Sequence, residues 1–145
     1  RLVLDEEVLG QFAKEATAID IRKTLDAFLA MPVDAAQAEL LVRLLADKGI
    51  DATLINPRFI SGLDVSLLDS LVSDHRLVVT LEDGALEGGY GEKVARHFGP
   101  TSVKTLCFGA RKEFVDRYAP ADFFAANHLT VPQIVEDILQ SLGGF

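Results

Sequence analysis

The chain has 145 residues, 49% of them apolar and 25% charged, a length and balance that fit one soluble globular domain and exclude a disordered or collagen-like chain. Its net charge of −8 excludes a nucleic-acid partner, because release of phosphate counterions needs a basic face. No apolar run approaches the roughly 20 residues that cross a bilayer, and no charged-then-apolar leader precedes the body, so no membrane partner is expected and the chain reads as cytoplasmic.

In chain order, residues 1–15 read as linker or remnant and residues 16–145 as the domain. The segment Thr17 to Arg22 reads as an extra strand, turned through Lys23-Thr24. Leu25 to Met31 is an apolar run of strand length stopped by Pro32. Asp34 is placed to cap a helix in which Ala38, Leu41, Val42 and Leu45 share one face, and Gly49 supplies its left-handed exit. Asp51 to Ile55 is a second strand, closed by Asn56-Pro57. After a loop to Gly62, Asp64 caps a helix whose Leu68, Leu71, Val72 and His75 align.

Leu77 to Leu81 is β-branched and apolar without alternation, as a parallel strand covered on both faces requires, and Glu82-Asp83-Gly84 follows just beyond its end. The glycine loop Gly88-Gly89-Tyr90-Gly91 leads into a helix with Val94, Ala95 and Phe98, ended by Gly99-Pro100. Val103 to Phe108 is the fourth strand of the series. After an irregular stretch, Thr130 caps a last helix with Pro132 in its first turn and Val131, Val135, Ile138, Leu139 and Leu142 inward, before Gly143-Gly144 lets the end fray. Strands alternating with helices specify an α/β domain: three layers, helices on both faces of a mostly parallel sheet.

Few residues offer chemistry. The single Cys107 has no disulfide partner within the chain and reads as a buried, inert thiol. His75, His97 and His128 stand apart with no metal-ligand spacing, and no serine occupies a nucleophile elbow. The basic cluster Arg111, Lys112 and Arg117 reads as solvated surface. The glycine loop is the one segment able to cradle a phosphate at a helix start; lacking a Walker lysine and the dinucleotide glycine spacing, it reads instead as a place of tight backbone packing. Glu82 and Asp83 lie at the carboxyl edge of the sheet, where open α/β proteins place ligands. No metal or catalytic constellation is assembled by these residues alone.

The run Gly49 to Phe59 followed by Leu63-Asp64, and then His75 to Gly84 followed by Gly88-Gly89-Tyr90-Gly91, resembles the C-terminal domain of the transketolase superfamily in matching order and separation. Asn127 to Ile134 resembles the 1-deoxy-D-xylulose-5-phosphate synthase branch in particular. Ser61-Gly62 and Gly109 to Phe114 depart from that branch's usual residues. The resemblance implies a five-stranded mixed sheet with one antiparallel strand, a role for the segment at Thr17 to Arg22. It also implies a full-length enzyme that condenses pyruvate with glyceraldehyde 3-phosphate, with loss of carbon dioxide, for isoprenoid precursor synthesis. Thiamine diphosphate and magnesium would be held there by other domains of the same polypeptide, in a homodimer. No catalytic or cofactor-binding residue is carried over to this chain. The domain's implied role is interdomain and dimer contact, with Arg58, Glu82, Asp83, Gly88, Gly89 and Gly91 as interface candidates. The resemblance leaves open a 2-oxo acid dehydrogenase β-subunit domain, a transketolase, or a free-standing binding or regulatory module. The start at Arg1 rather than Met favours an excerpt or processed product.

Overall fold

The computed structural model describes residues 2–3, 27–30, 35–57, 59–113 and 119–143. Ala27–Ala30 forms β2, Ala52–Ile55 β3, Leu77–Ala85 β4 and Lys104–Ala110 β5, with Leu2–Val3 as a two-residue β1. The helices are α1 (Ala35–Asp47), α2 (Val65–Leu71), α3 (Tyr90–Phe98), α4 (Pro120–Ala126) and α5 (Val131–Ser141). The sheet order is β1-β3-β2-β4-β5, and every described pairing is parallel. Leu2–Val3, inside the segment read as linker, pairs with Leu54 and Ile55. The expected strand at Thr17 to Arg22 and the expected cap Asp34 lie outside the described residues.

Alternation along the covered strand β4 sorts the apolar residues into two cores. Leu77, Val79 and Leu81 face α1 and α5, where Leu41, Leu45 and Ile138 close one core. Val78 points the other way, into a core built with Leu68 and Leu71 of α2 and Val94 and Phe98 of α3. Both faces of β4 are therefore dry from Leu77 to Leu81, as the absence of polar alternation there requires.

Local chemistry sets the helix ends. Asp64 caps α2, its Oδ1 accepting from the Leu67 amide at 3.0 Å, an arrangement worth about 1 kcal/mol. Gly49 leaves α1 at φ +80°, the left-handed exit that glycine adopts without steric cost. Thr130 stands at the N-cap of α5, but its hydroxyl donates to Gln133 Oε1 at 2.7 Å instead of accepting a helix amide.

Three expectations are corrected. α2 ends at Leu71, so His75 is off the helix; it is buried, with Nδ1 3.1 Å from the Leu71 carbonyl and Nε2 3.1 Å from the Thr53 hydroxyl, joining the exit of α2 to β3. β4 does not stop at Leu81 but continues through Glu82-Asp83-Gly84 to Ala85. The stretch read as irregular contains α4, with a proline in its first turn and no buried residue.

Candidate functional site

The carboxyl end of β4 is where the chain's polar chemistry collects. Leu81 pairs with Phe108 and Ala85 with Ala110, so Glu82, Asp83 and Gly84 stand opposite Gly109 alone and the strand bulges there. Alternation from Val78 and Thr80 sends the Glu82 side chain to the α3 face. Its two carboxylate oxygens accept the amides of Tyr90 and Gly91, the latter at 2.8 Å. These are the first two N–H groups of α3, which have no partner within the helix, and the N-cap position is Gly89, without a side chain to serve them. One turn on, Glu92 reaches back so that the Gly88 amide donates to its Oε2 at 3.0 Å. Gly88 itself turns at φ +74°.

The glycines of the loop are required by this knot. A Cβ on Gly89 would lie 2.6 Å from Glu82 Oε1 and 2.8 Å from the Ala85 carbonyl oxygen. A Cβ on Gly91 would lie 2.5 Å from Thr80 Oγ1, 2.9 Å from Glu82 Oε2 and 3.0 Å from Cys107 Sγ. The reading of the loop as tight backbone packing thus has named atoms behind it. Asp83 and Gly88 are exposed, Glu82 and Gly89 half-buried and Gly91 buried, while Arg58 lies outside the described residues. Arg111 is exposed and its amide donates to Asn127 Oδ1 at 2.9 Å; Arg117 also lies outside the described residues.

Thr80 and Cys107 face each other across β4 and β5 beneath the knot. The Thr80 hydroxyl is fully buried without a well-formed hydrogen bond among the described residues, and the half-buried Cys107 thiol beside it is only a weak partner. Burial pushes the Cys107 thiol up from its ordinary 9.0, the Thr80 hydroxyl pulls it down, and the Glu82 and Glu92 carboxylates push it further up. Burial also raises the Tyr90 phenol above 10.0, with Asp64 and then Glu82 adding to the rise. Both groups are acids that lose their proton more readily when unfolded. Their contribution is therefore whole below the unfolded values and is lost as pH climbs through the folded ones. Stability should accordingly fall above about pH 9, with Cys107→Ala and Tyr90→Phe each flattening the slope in urea melts taken from pH 8 to 11; a double variant as steep as the parent would contradict these environments.

A cavity of about 300 Å³ opens on the opposite face of the β4 end. The first turns of α1 (Gln37, Ala38, Leu41) form one wall and Leu129, Val131 and Ile134 another. Phe123 and Phe124 of α4 close a third, and the β4 bulge with Ala110 forms the floor. Asn127 fixes α4 there, since its amide donates to the Phe123 carbonyl at 2.9 Å, while Gln133 Nε2 donates to Ala125 O at 3.0 Å. His128, at φ +56°, turns the chain between α4 and α5, and its Nδ1 sits 3.0 Å from Asp137 Oδ2.

Sequence reasoning missed this cavity because α4, which completes it, carried no periodic signal. It also missed the inward role of Glu82. The available signal was a helix beginning at glycine, with no Ser, Thr, Asp or Asn at its cap, which obliges some distant acceptor to serve its first amides.

The thiamine diphosphate and magnesium implied by resemblance do not fit the residues present. The amides of α3 that would hold a phosphate are already held by Glu82, and a second carboxylate stands next to it. Among the described residues no grouping of three or more His, Cys, Asp or Glu is arranged to hold a metal ion. Nor is any described helix long and apolar enough to cross a membrane.

Comparison with known proteins agrees with this architecture. Residues 27–134 match the family described as Transketolase, C-terminal domain. The 1-deoxy-D-xylulose-5-phosphate synthase of Rippkaea orientalis is 42% identical over 98 residues, covering 66% of this chain and 15% of that protein. The enzyme of the same name from Chlorobium phaeovibrioides is 32% identical over 131 residues, 89% of this chain and 20% of its own length. This chain thus spans no more than a fifth of these relatives. Among solved structures, a split-gene transketolase in an inactive β4 tetramer superposes with a TM-score of 0.71 at 21% identity, over 82% of this chain and 39% of that one, a likeness of fold. With residues 27–134, three-quarters of its length, matched, the chain belongs to the transketolase C-terminal domain family.

Proposed function

We propose that this chain is the C-terminal domain of a thiamine-diphosphate-dependent 1-deoxy-D-xylulose-5-phosphate synthase. In this reading it supplies interdomain and dimer contacts, and the cofactor-binding domains of the same polypeptide carry out the condensation in the cytoplasm. The observation that carries the reading is the closed N-terminus of α3. The one phosphate-cradle geometry in the sequence is satisfied by the protein's own Glu82, which supports an architectural reading of this end of the domain. Relatives of that name at 32–42% identity support the branch. The division into a linker at 1–15, apart from the pairing of Leu2–Val3, and a domain at 16–145, an antiparallel strand at Thr17 to Arg22 that would make the sheet mixed beside the parallel strands described, and contacts through Arg58, Asp83 and Gly88 belong to the same reading. Bound cofactor would supply the carbanion chemistry in the full-length enzyme, and the residues of this chain take no proton in it.

Calorimetry of the 145-residue chain with thiamine diphosphate and magnesium, paired with an assay of carbon dioxide release from pyruvate, tests this. No binding heat and no turnover are expected from the chain alone. In the full-length protein, carbon dioxide release should depend on glyceraldehyde 3-phosphate. Saturable cofactor binding by the isolated chain, or a full-length protein indifferent to glyceraldehyde 3-phosphate, would overturn the proposal.

A further inference from the structure

Apart from Asp83 at its rim, the cavity beside the β4 bulge takes no part in the contacts of the proposed architectural role. Its volume, about 300 Å³, lies at the lower end of the range of small-molecule pockets. Its position is also that of a ligand site. The chain passes from β2 to β3 on one side and then crosses to β4 on the other, so the winding of the sheet reverses between β2 and β4. Open α/β sheets take ligands outside the carboxyl ends of the strands at such a reversal. The floor here is the end of β4, and one wall is the first part of α1, the helix that follows β2.

The lining states what it would accept. Leu41, Leu129, Val131, Ile134 and the two phenylalanines of α4 offer hydrocarbon. Among the described lining residues the charged ones are Glu82 and Asp83, and none is a cation. Glu82 is spent on the amides of α3. Asp83, one residue on, lines the cavity and is exposed, and among the described residues it makes no ion pair. An anion entering this site would meet uncompensated negative charge in a chain of net charge −8, whereas a cation would meet a free carboxylate at the rim of an apolar hollow.

We propose that this cavity is a binding site for a small primary amine with an apolar body, its hydrocarbon packed against Leu41, Leu129 and Ile134 and its ammonium group on the Asp83 carboxylate. Two contributions combine there. Burial of the body supplies affinity, and the rim carboxylate supplies the choice of charge.

Methyl NMR on the whole chain tests the assignment, with 2-phenylethylamine as the probe and phenylacetate as its anionic counterpart. The amine should shift the methyl signals of Leu41, Leu129 and Ile134 saturably, leaving Val78, Leu71 and Val94 on the other face unmoved. Phenylacetate should bind more weakly, and Asp83→Asn should weaken the amine about three- to fivefold, as for an exposed ion pair. Because Asp83 is exposed and its side chain bonds to nothing described, that variant keeps its fold. Absence of saturable shifts, equal shifts on both faces, phenylacetate binding as tightly as the amine, or an amine affinity unchanged in Asp83→Asn would each overturn the proposal.

Discussion

Glu82→Ala should lower the stability of the domain by about 2–4 kcal/mol, because two charge-assisted hydrogen bonds are lost and the first amides of α3 are left without acceptors. For a chain of this length that is a fall in melting temperature on the order of 10 °C. Glu82→Gln should lie between parent and alanine variant, since the amide keeps one acceptor oxygen but turns donors toward a backbone N–H. Thermal melts of the three proteins decide the matter. Glutamine behaving as the parent would mean the charge is unimportant, and alanine behaving as the parent would mean the knot contributes nothing.

The second large effect is expected at Gly91→Ala. In an ordinary helix this exchange stabilises by about 1 kcal/mol, since alanine is the better helix former. Here the added carbon would sit 2.5 Å from Thr80 Oγ1 and 2.9 Å from Glu82 Oε2, atoms held by the sheet and by the amides they serve. Overpacking of this kind costs about 1–3 kcal/mol, and displacing the carboxylate adds part of the loss expected for Glu82→Ala. The sign should therefore reverse, to a net destabilisation of about 2–3 kcal/mol in urea unfolding. Gly62→Ala is the control, because nothing lies within 4 Å of its added carbon, and it should stay within about 0.5 kcal/mol of the parent. A double variant, Thr80→Ala with Gly91→Ala, should recover part of the loss, a non-additivity that only residues in contact display. Strict additivity would break the link between the two strands and the helix start.

How far the chain could be read from sequence followed where the physics is local. Helix α1 and strands β3 and β4 carry their own periodicity or β-branched runs, and the Asp64 cap and the Gly49 exit are decided within a few residues of themselves. Three features are not local. α4 has fewer than two turns and buries nothing, so no apolar stripe betrays it. The run Glu82-Asp83-Gly84 looks like the end of a strand because charge and glycine end apolar runs, yet the ladder resumes at Ala85 with Ala110. His75 falls into the apolar register of α2 by spacing, but its ring answers to Thr53 of a strand 22 residues earlier. Glu82 combines both difficulties, since its partners lie 8 and 9 residues ahead, across a turn whose shape depends on Gly88. The glycine loop was legible as close packing, while its occupant was not.

The crossing of the chain from β3 past β2 to β4 also bears on the order of events in time. β2 pairs with β3, reached early through α1, but its other neighbour is synthesised only after α2 is complete. Until then β2 has one edge bare, and closing the sheet must bring together segments far apart in the sequence, which slows folding. Once seated, β4 lies between β2 and β5 with Leu77 to Leu81 sealed on both faces. The amide protons of this strand should consequently be the last to exchange with deuterium, and their exchange should report global unfolding rather than local opening.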